Sequence, residues 1–301
     1  MRIRLRPRDL HTTDRPSSTA QWTALGRALE LRRPPEQRIV SDEYAPLFLS
    51  DASRAVLRAL QLAGPAVRRA ERAELAGLAA YALCRHRFID EHLKQALTAG
   101  GERAERVLIL GAGYDSRAYR FADELAGRPV FEVDLPPLSR RKAAIVAAHP
   151  DVFGHREVRR VEINFRTEPL AERLTAAGFG AGANTYIAWE GVSPYLSRAA
   201  VSNTLDTLRE LCGPGSTLAM DFWFQPPGHG PADQVRRLGA RAVALVGEPV
   251  TFGIAPDDVG GFLERHGFEV FDLVRSRELA ARYSTDGRPT ERSLYVLAAR
   301  R

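Results

Sequence analysis

Cysteine is almost missing from this 301-residue chain. Cys84 and Cys212 share no short spacing, so neither a disulfide framework nor a cysteine metal site is expected. Both fall in segments that read as helices, which predicts two reduced, buried thiols. Lysine is nearly missing too. Lys94 and Lys142 are the only two, so the 43 basic residues are almost all arginine. The formal net charge of +6 raises the question of nucleic acid. The arginines are spread along the chain, however, with no long block and no interleaved aromatic platform. That pattern describes a solvated surface and predicts no nucleic-acid partner. Arginines inside a cleft can still attract an anionic substrate. There is no apolar run long enough to span a bilayer. The start, MRIRLRPRDLHTTDRPSST, holds no apolar stretch able to act as a signal-peptide core, and Pro7 interrupts the helix a transit peptide needs. A cytoplasmic protein with no membrane partner is the expectation. The seven histidines lack metal spacing: His86 and His92 are six apart and have no histidine at i+4, so no metal is expected.

What is present is an alternation of short β-rich runs and amphipathic helical stretches from Arg106 onward. It predicts an α/β, Rossmann-like parallel sheet with helices on both faces. The predicted strands are Arg106–Gly111, Pro129–Asp134, Val158–Asn164, Asn184–Glu190 and Ser216–Phe222. The helices between them are Ser116–Leu125, Pro137–Ala148, Glu168–Ala177 and Ser197–Leu211, the last stopped by Cys212-Gly-Pro-Gly215. Beyond the Pro/Gly-rich stretch Phe224–Pro231, a helical segment leads to Gly247-Glu-Pro249. A helix at Pro256–His266 and strands at Phe268–Arg275 and Ser293–Ala299 follow. Five parallel strands and a late pair make a seven-stranded sheet whose last strand inserts antiparallel. Before Glu102 no strand is evident; Ala20–Leu31, Ala52–Leu62 and Ala66–Ala99 have helical spacing. This predicts a helical N-terminal cap (1–101) lying over the ligand-binding edge of a Rossmann-like core (102–301).

Leu110-Gly-Ala-Gly-Tyr-Asp115 stands where the first strand meets its helix, and glycine there lets a ligand approach the backbone closely. A lone G-x-G is a weak signal. Asp134, at the end of the next strand and 21 residues after Gly113, strengthens it, because an acid at that point can accept hydrogen bonds from both ribose hydroxyls. A dinucleotide turn usually has a third glycine where this chain has Ser116, preceded by Asp115. A carboxylate at the mouth of the turn opposes a diphosphate and suits a sulfonium nucleoside, which points to S-adenosylmethionine over NAD.

Several strings, taken in order, carry a family resemblance. They are Ser18–Ala20, Ser41-Asp-Glu-Tyr-Ala45, Arg85-His-Arg-Phe-Ile-Asp90, Gly111-Ala-Gly-Tyr-Asp-Ser-Arg-Ala-Tyr-Arg120, Phe131-Glu-Val-Asp-Leu-Pro136 with Lys142, Trp189-Glu-Gly-Val-Ser-Pro-Tyr-Leu196 and Gly247–Pro249. From about Ser17 to the C-terminus the sequence resembles the leucine carboxyl methyltransferase family, including its bacterial branch. The resemblance implies a class I methyltransferase sheet and S-adenosylmethionine as cofactor. It implies that Arg85 pairs with the cofactor's carboxylate, with Arg87 an equally plausible residue on spacing alone. Gly111, Ala112 and Gly113 would line the methionine moiety, Asp134 with Leu135 would hold the ribose side, and Glu190 would sit near the α-amino group. Asn164, followed by Phe165, stands where the family commonly has an Asp that accepts a hydrogen bond from the adenine amino group; the Asn carbonyl can accept it without charge.

A carboxylate acceptor is ionised at neutral pH and needs no general base, whereas a phenol or alcohol does. No obvious base stands beside these motifs; His229 is the one loosely placed histidine. A carboxylate of a small molecule or peptide is therefore the expected acceptor. A hydroxyl acceptor, a non-catalytic binding protein and an NAD(P)-dependent oxidoreductase are the alternatives. Tyr195, Trp189, Phe222, Trp223 and Phe224 gather at the carboxyl ends of strands four and five, where open α/β sheets bind ligands. Tyr195 is the candidate to hydrogen-bond the acceptor, Trp223 and Phe224 to wall it, and Phe222 is expected in the core.

Overall fold

The structure, a computed structural model, describes residues 18–62, 74–98, 100, 103–154, 156–165, 167–224, 250–288, 290 and 293–301. Before the first strand, the described residues form the α-helices α1 (Ser18–Glu30), α2 (Asp51–Leu62) and α3 (Glu74–Thr98). Then follow β1 (Arg106–Leu110), α4 (Arg117–Arg120), α5 (Ala122–Leu125), β2 (Val130–Asp134), α6 (Pro136–Ala148), α7 (Pro150–Phe153), β3 (Val158–Glu162), α8 (Leu170–Ala176), β4 (Thr185–Trp189), α9 (Arg198–Leu211) and β5 (Thr217–Trp223). The chain ends with α10 (Val259–Glu264), β6 (Glu269–Arg275), α11 (Ser276–Tyr283) and β7 (Leu294–Arg300). The strands form one sheet in the order β3-β2-β1-β4-β5-β7-β6. β1 to β5 run parallel; β7 lies antiparallel between β5 and β6, with Phe222 opposite Tyr295. The predicted seven-stranded α/β sheet and its late antiparallel insertion are thus both present.

The physical reason is burial on both faces. Every residue of β1 and β4 is buried, as the continuous apolar runs VLIL and YIAW require when helices cover the two sides of a parallel strand. One core cluster joins α1, α3 and one face of the sheet; the other joins the opposite face to α9 and α10. On the first face, α3 crosses the strands and is stapled by two buried tyrosines. Tyr81 donates to the carbonyl of Tyr295 at 2.9 Å, and Tyr186 donates to that of Ile89 at 2.6 Å. α3 thereby lays its middle turn, with Arg85, His86 and Asp90, over the carboxyl ends of β4 and β5.

Two predicted helices change shape. The helix expected over Ser116–Leu125 is two short ones, broken at buried Phe121. The break lets Tyr119 and Phe121 enter the core while Arg117 and Arg120 turn toward acids on α3. The helix expected over Pro256–His266 forms only over Val259–Glu264, following a turn. Cys212 lies one residue past α9, at its C-cap, instead of within a helix. Both cysteines are buried free thiols, as expected, and burial pushes Cys84 up to about 12 and Cys212 up to about 11. The helical reading over 66–73, the segment leading to Gly247, the Gly247–Pro249 element and His229 lie outside the described residues. No helix among the described residues is long and apolar enough to cross a membrane.

Candidate functional site

The loop after β1 is shaped by its glycines. Gly111 takes φ +66° and Gly113 φ +43°, values that cost an L-residue about 1–2 kcal/mol. A Cβ on Gly111 would collide with the side chain of Val192, which follows β4. The amides of Gly111 and Ala112 donate to the carbonyl of Val133 at 2.8 and 3.0 Å, tying the turn to β2. The next amide, Gly113, donates to Asp134 Oδ2 at 2.5 Å, and Leu135 donates to Asp134 Oδ1 at 2.7 Å. Burial nevertheless outweighs these bonds and raises the Asp134 carboxyl to about 6. A desolvated carboxylate at a strand end, hydrogen-bonded among the described residues to backbone amides, is suited to hydroxyl donors. Asn164 stands beside it: Ile163 donates to the Asp134 carbonyl at 2.9 Å, and the Asn164 amide is held by Glu168 Oε2 at 2.8 Å. Phe165 is half-buried next to it.

The second half of the site is a buried cluster of charges under α3. Glu190 follows β4. Its Oε1 accepts from Arg85 Nε at 3.1 Å, and its Oε2 lies 2.9 Å from both His86 Nδ1 and Arg117 Nη2. Arg117 is 1% exposed and also bonds Asp90 at 2.7 Å and Asp115. Arg120 donates to Asp90 at 2.8 Å and to His86 Nε2 at 2.8 Å. Guanidinium donors face both ring nitrogens, Arg117 Nη2 at Nδ1 and Arg120 Nη2 at Nε2, which favours a neutral ring whose Nδ1 also lies against Glu190. Burial first, then the Arg117 charge, lowers the His86 pKa accordingly. Burial opposes ionisation of Glu190 and Asp90. The guanidiniums beside each, Arg117 and Arg85 for Glu190 and Arg120 and Arg117 for Asp90, win and hold both carboxyls below the usual range. The chain of pairs continues through Asp42, which accepts from Arg27 at 2.7 Å, while Arg27 also donates to the carbonyl of Tyr114 at 2.7 Å. At the other end Arg85 reaches Asp221 on β5 at 2.7 Å.

Of the expected site residues, the fold therefore brings together Arg85, Gly111, Ala112, Gly113, Asp134, Leu135, Asn164, Phe165 and Glu190 along the carboxyl edge of the parallel strands. Spacing alone left Arg85 and Arg87 equivalent. In the fold Arg85 is buried against Glu190, whereas Arg87 is exposed and bonded to Glu91 at 2.9 Å. Trp223 and Phe224 line a separate cavity of about 850 Å³ at the end of β5, together with Arg198, Phe252 and Arg265. Tyr195 is not among its lining residues; it sits half-buried in the turn Ser193–Tyr195, and the neighbouring Pro194 carbonyl accepts from Thr251 and Phe252 of the cavity wall. Trp189 and Phe222 are core residues. Asp115 is placed differently from what its position in the turn led one to expect. Its carboxylate does not stand free at the mouth of the turn but is buried and neutralised by Arg117, so it does not repel a diphosphate. Sequence reasoning missed Asp221, Arg117 and Arg120. Asp221 had a signal: it is the lone acid in the otherwise apolar run Leu218–Trp223.

The sequence profile of the leucine carboxyl methyltransferase family matches residues 20–209, almost two thirds of the chain. The chain belongs to the leucine carboxyl methyltransferase family. This methyltransferase is S-adenosylmethionine-dependent, which removes the oxidoreductase alternative without help from Asp115. It is 33% identical, over 94% of its length and 96% of the relative's, to a protein of Rhodococcus jostii named as a candidate S-adenosyl-L-methionine-dependent methyltransferase. A relative in Mycolicibacterium paratuberculosis bears the same name, with 33% identity over 96% of this chain and 89% of its own. Among solved structures, a candidate methyltransferase of Thermobifida fusca superimposes with a TM-score of 0.55 at 17% identity, covering 98% of both chains. A DUF574 family protein of Streptomyces avermitilis gives 0.55 at 15% identity, covering 91% of this chain and 99% of its own; both likenesses speak to the fold alone.

Proposed function

We propose that this methyltransferase transfers a methyl group to a carboxylate oxygen of a small-molecule natural product or peptide, an acceptor of secondary metabolism. The observation that carries the reading is the pair of cations, Arg198 and Arg265, in the same cavity as the aromatic wall of Trp223 and Phe224. Such a cavity attracts an anionic, partly apolar acceptor. Of the two acids on its rim, Asp257 is already paired with Arg275 at 2.6 Å.

The residues fit S-adenosylmethionine. From Arg27 to Asp221 the buried cluster holds five carboxylates (Asp42, Asp90, Asp115, Glu190, Asp221) against four guanidiniums (Arg27, Arg85, Arg117, Arg120). With His86 neutral, that surplus suits a ligand with a net positive charge. In this proposal Asp134 with Leu135 holds the ribose, and Asn164 and Phe165 face the adenine. Gly111, Ala112 and Gly113 line the methionine moiety, Arg85 takes its carboxylate and Glu190 its α-ammonium. When bound, S-adenosylmethionine supplies an already activated methyl electrophile, so the chain's own task is alignment, which can contribute up to about 7–11 kcal/mol. A carboxylate acceptor arrives ionised and asks for no base; Tyr195 is assigned a hydrogen bond to it, and Trp223 and Phe224 its walls.

We read residues 1–101 as a helical cap and 102–301 as the core. Support comes from Arg27, which grips the Tyr114 carbonyl, and from Ala20, whose Cβ lies 3.5 Å from where a Cβ on Gly113 would stand. A cytoplasmic setting is supported by the two buried free thiols. The second reading is hydroxyl or phenol methylation. His86, the one histidine in the cluster, is a poor base for it, since both ring nitrogens are engaged.

The test is turnover with a panel of carboxylic acids and matched phenols, followed by mass spectrometry for S-adenosylhomocysteine. The expected product is a methyl ester that releases methanol in mild alkali. An alkali-stable ether would install the second reading, and cofactor binding without turnover on any acceptor would install the non-catalytic alternative.

A further inference from the structure

Asp221 is the acid the reaction so far does not use. It is 1% exposed, in the middle of an otherwise apolar strand, paired in register with Val296 of β7. A carboxylate there costs several kcal/mol in desolvation unless it is fully engaged. It is engaged on both oxygens, by two different elements. Oδ2 accepts from Arg85 Nη1 of α3 at 2.7 Å, and Oδ1 accepts from the Gly191 amide, in the loop after β4, at 2.6 Å. Its backbone carbonyl accepts from Ser193 Oγ at 2.5 Å, further along that loop. Three points around Glu190 are thus referred to one residue of the central sheet.

The Arg85 guanidinium lies between two carboxylates: Glu190 takes Nε and Asp221 takes Nη1. Gly191, at φ +68°, runs its backbone against the guanidinium, since a Cβ there would stand 3.1 Å from Nη2. Nη2 itself makes no hydrogen bond among the described residues. Without Asp221 the planar fork would be free to close in bidentate fashion on both oxygens of Glu190. That arrangement would occupy Glu190 and turn Nη2 away at once.

We propose that Asp221 is a positioning residue for the amino-acid end of the cofactor, limiting Arg85 to a single bond with Glu190 so that both keep capacity for a zwitterionic ligand. The proposal rests on the assignment of Arg85 and Glu190 to that end. Asp221 touches no part of the ligand; it acts through Arg85 and Gly191.

The experiment compares two ligands by calorimetry: S-adenosylhomocysteine, and 5′-methylthioadenosine, which keeps the nucleoside and thioether but lacks the amino-acid end. Asp221→Asn keeps an acceptor for Gly191 and loses the ion pair. The expected result is at least a tenfold loss for S-adenosylhomocysteine, with 5′-methylthioadenosine within twofold of the unsubstituted protein. In an Arg85→Gln background the same substitution should add less than twofold. Equal weakening of both ligands, or no weakening of either, overturns the proposal. Should Asp221→Asn fail to fold, Asp221→Glu, which keeps the charge on a longer arm, is held to the same selective loss. The unsubstituted protein separates this idea from the reading beneath it: if it binds both ligands equally well, the amino-acid end is not held by Arg85 and Glu190 at all.

Discussion

The backbone N–H of Gly113 and the carboxylate of Asp134 meet at 2.5 Å, joining the turn after β1 to the end of β2. Because burial raises Asp134 to about 6, ionisation of this group and ligand binding are linked. Hydroxyl donors favour the charged form, so bound ligand draws the pKa down. Affinity should accordingly rise with pH up to about 6 and be lost as pH falls below it. Calorimetry with S-adenosylhomocysteine from pH 5 to 8 should show that slope in the unsubstituted protein. Asp134→Asn should flatten it, and Asp134→Ala should weaken binding by about 1.5–3 kcal/mol at pH 7.5.

Gly111→Ala should destabilise the protein for two separable reasons. The positive φ costs about 1–2 kcal/mol, and the collision with Val192 costs about 1–3 kcal/mol as overpacking. Adding Val192→Ala should recover the second share and leave the first. Urea titration of the single and double variants measures both; no recovery would mean that the turn, and not its neighbour, sets the cost.

Arg117 is 1% exposed and pairs with three carboxylates under α3, so Arg117→Met would leave Asp90, Asp115 and Glu190 short of a partner. A loss of about 3–5 kcal/mol is expected near neutral pH. Asp90 and Glu190 have depressed pKa values in the fold, so their contribution is present above the ordinary carboxylate range and is lost as pH falls through the folded values. The stability gap between Arg117→Met and the unsubstituted protein should therefore narrow on acidification below the ordinary carboxylate range, a trend that thermal melts between about pH 5 and pH 2 can check.

Tyr195→Phe removes only a hydroxyl. If that hydroxyl holds the acceptor, kcat should fall about tenfold, the worth of one hydrogen bond of about 1.4 kcal/mol, while S-adenosylhomocysteine affinity stays within twofold. Unchanged turnover would take Tyr195 out of the site, in keeping with its place outside the aromatic cavity wall.

Much of this protein was legible in one dimension. The strands were readable because parallel strands buried on both faces must be continuously apolar, and VLIL, YIAW and LYVLAA admit little else. The turn Gly111–Gly113 and the acid at Asp134 were readable because chain order itself places the end of one parallel strand beside the end of the next. The split of the helix at Phe121 was not readable, since its local pattern is helical throughout and the break answers to partners on α3.

The charges divide in the same way. The sequence by itself determined which residue types stand at the carboxyl ends of the strands, and hence the family and the cofactor. Only the tertiary structure decided their states: that Arg85 and not Arg87 faces inward, that Asp115 is spent on Arg117, that burial lowers the His86 pKa, and that Asp221 pairs with Arg85. Periodicity reports which face of a helix is apolar. Apart from Asp115 with Arg117, the buried ions pair over a few ångströms across elements whose residues stand up to 136 apart in sequence, and no local pattern encodes those.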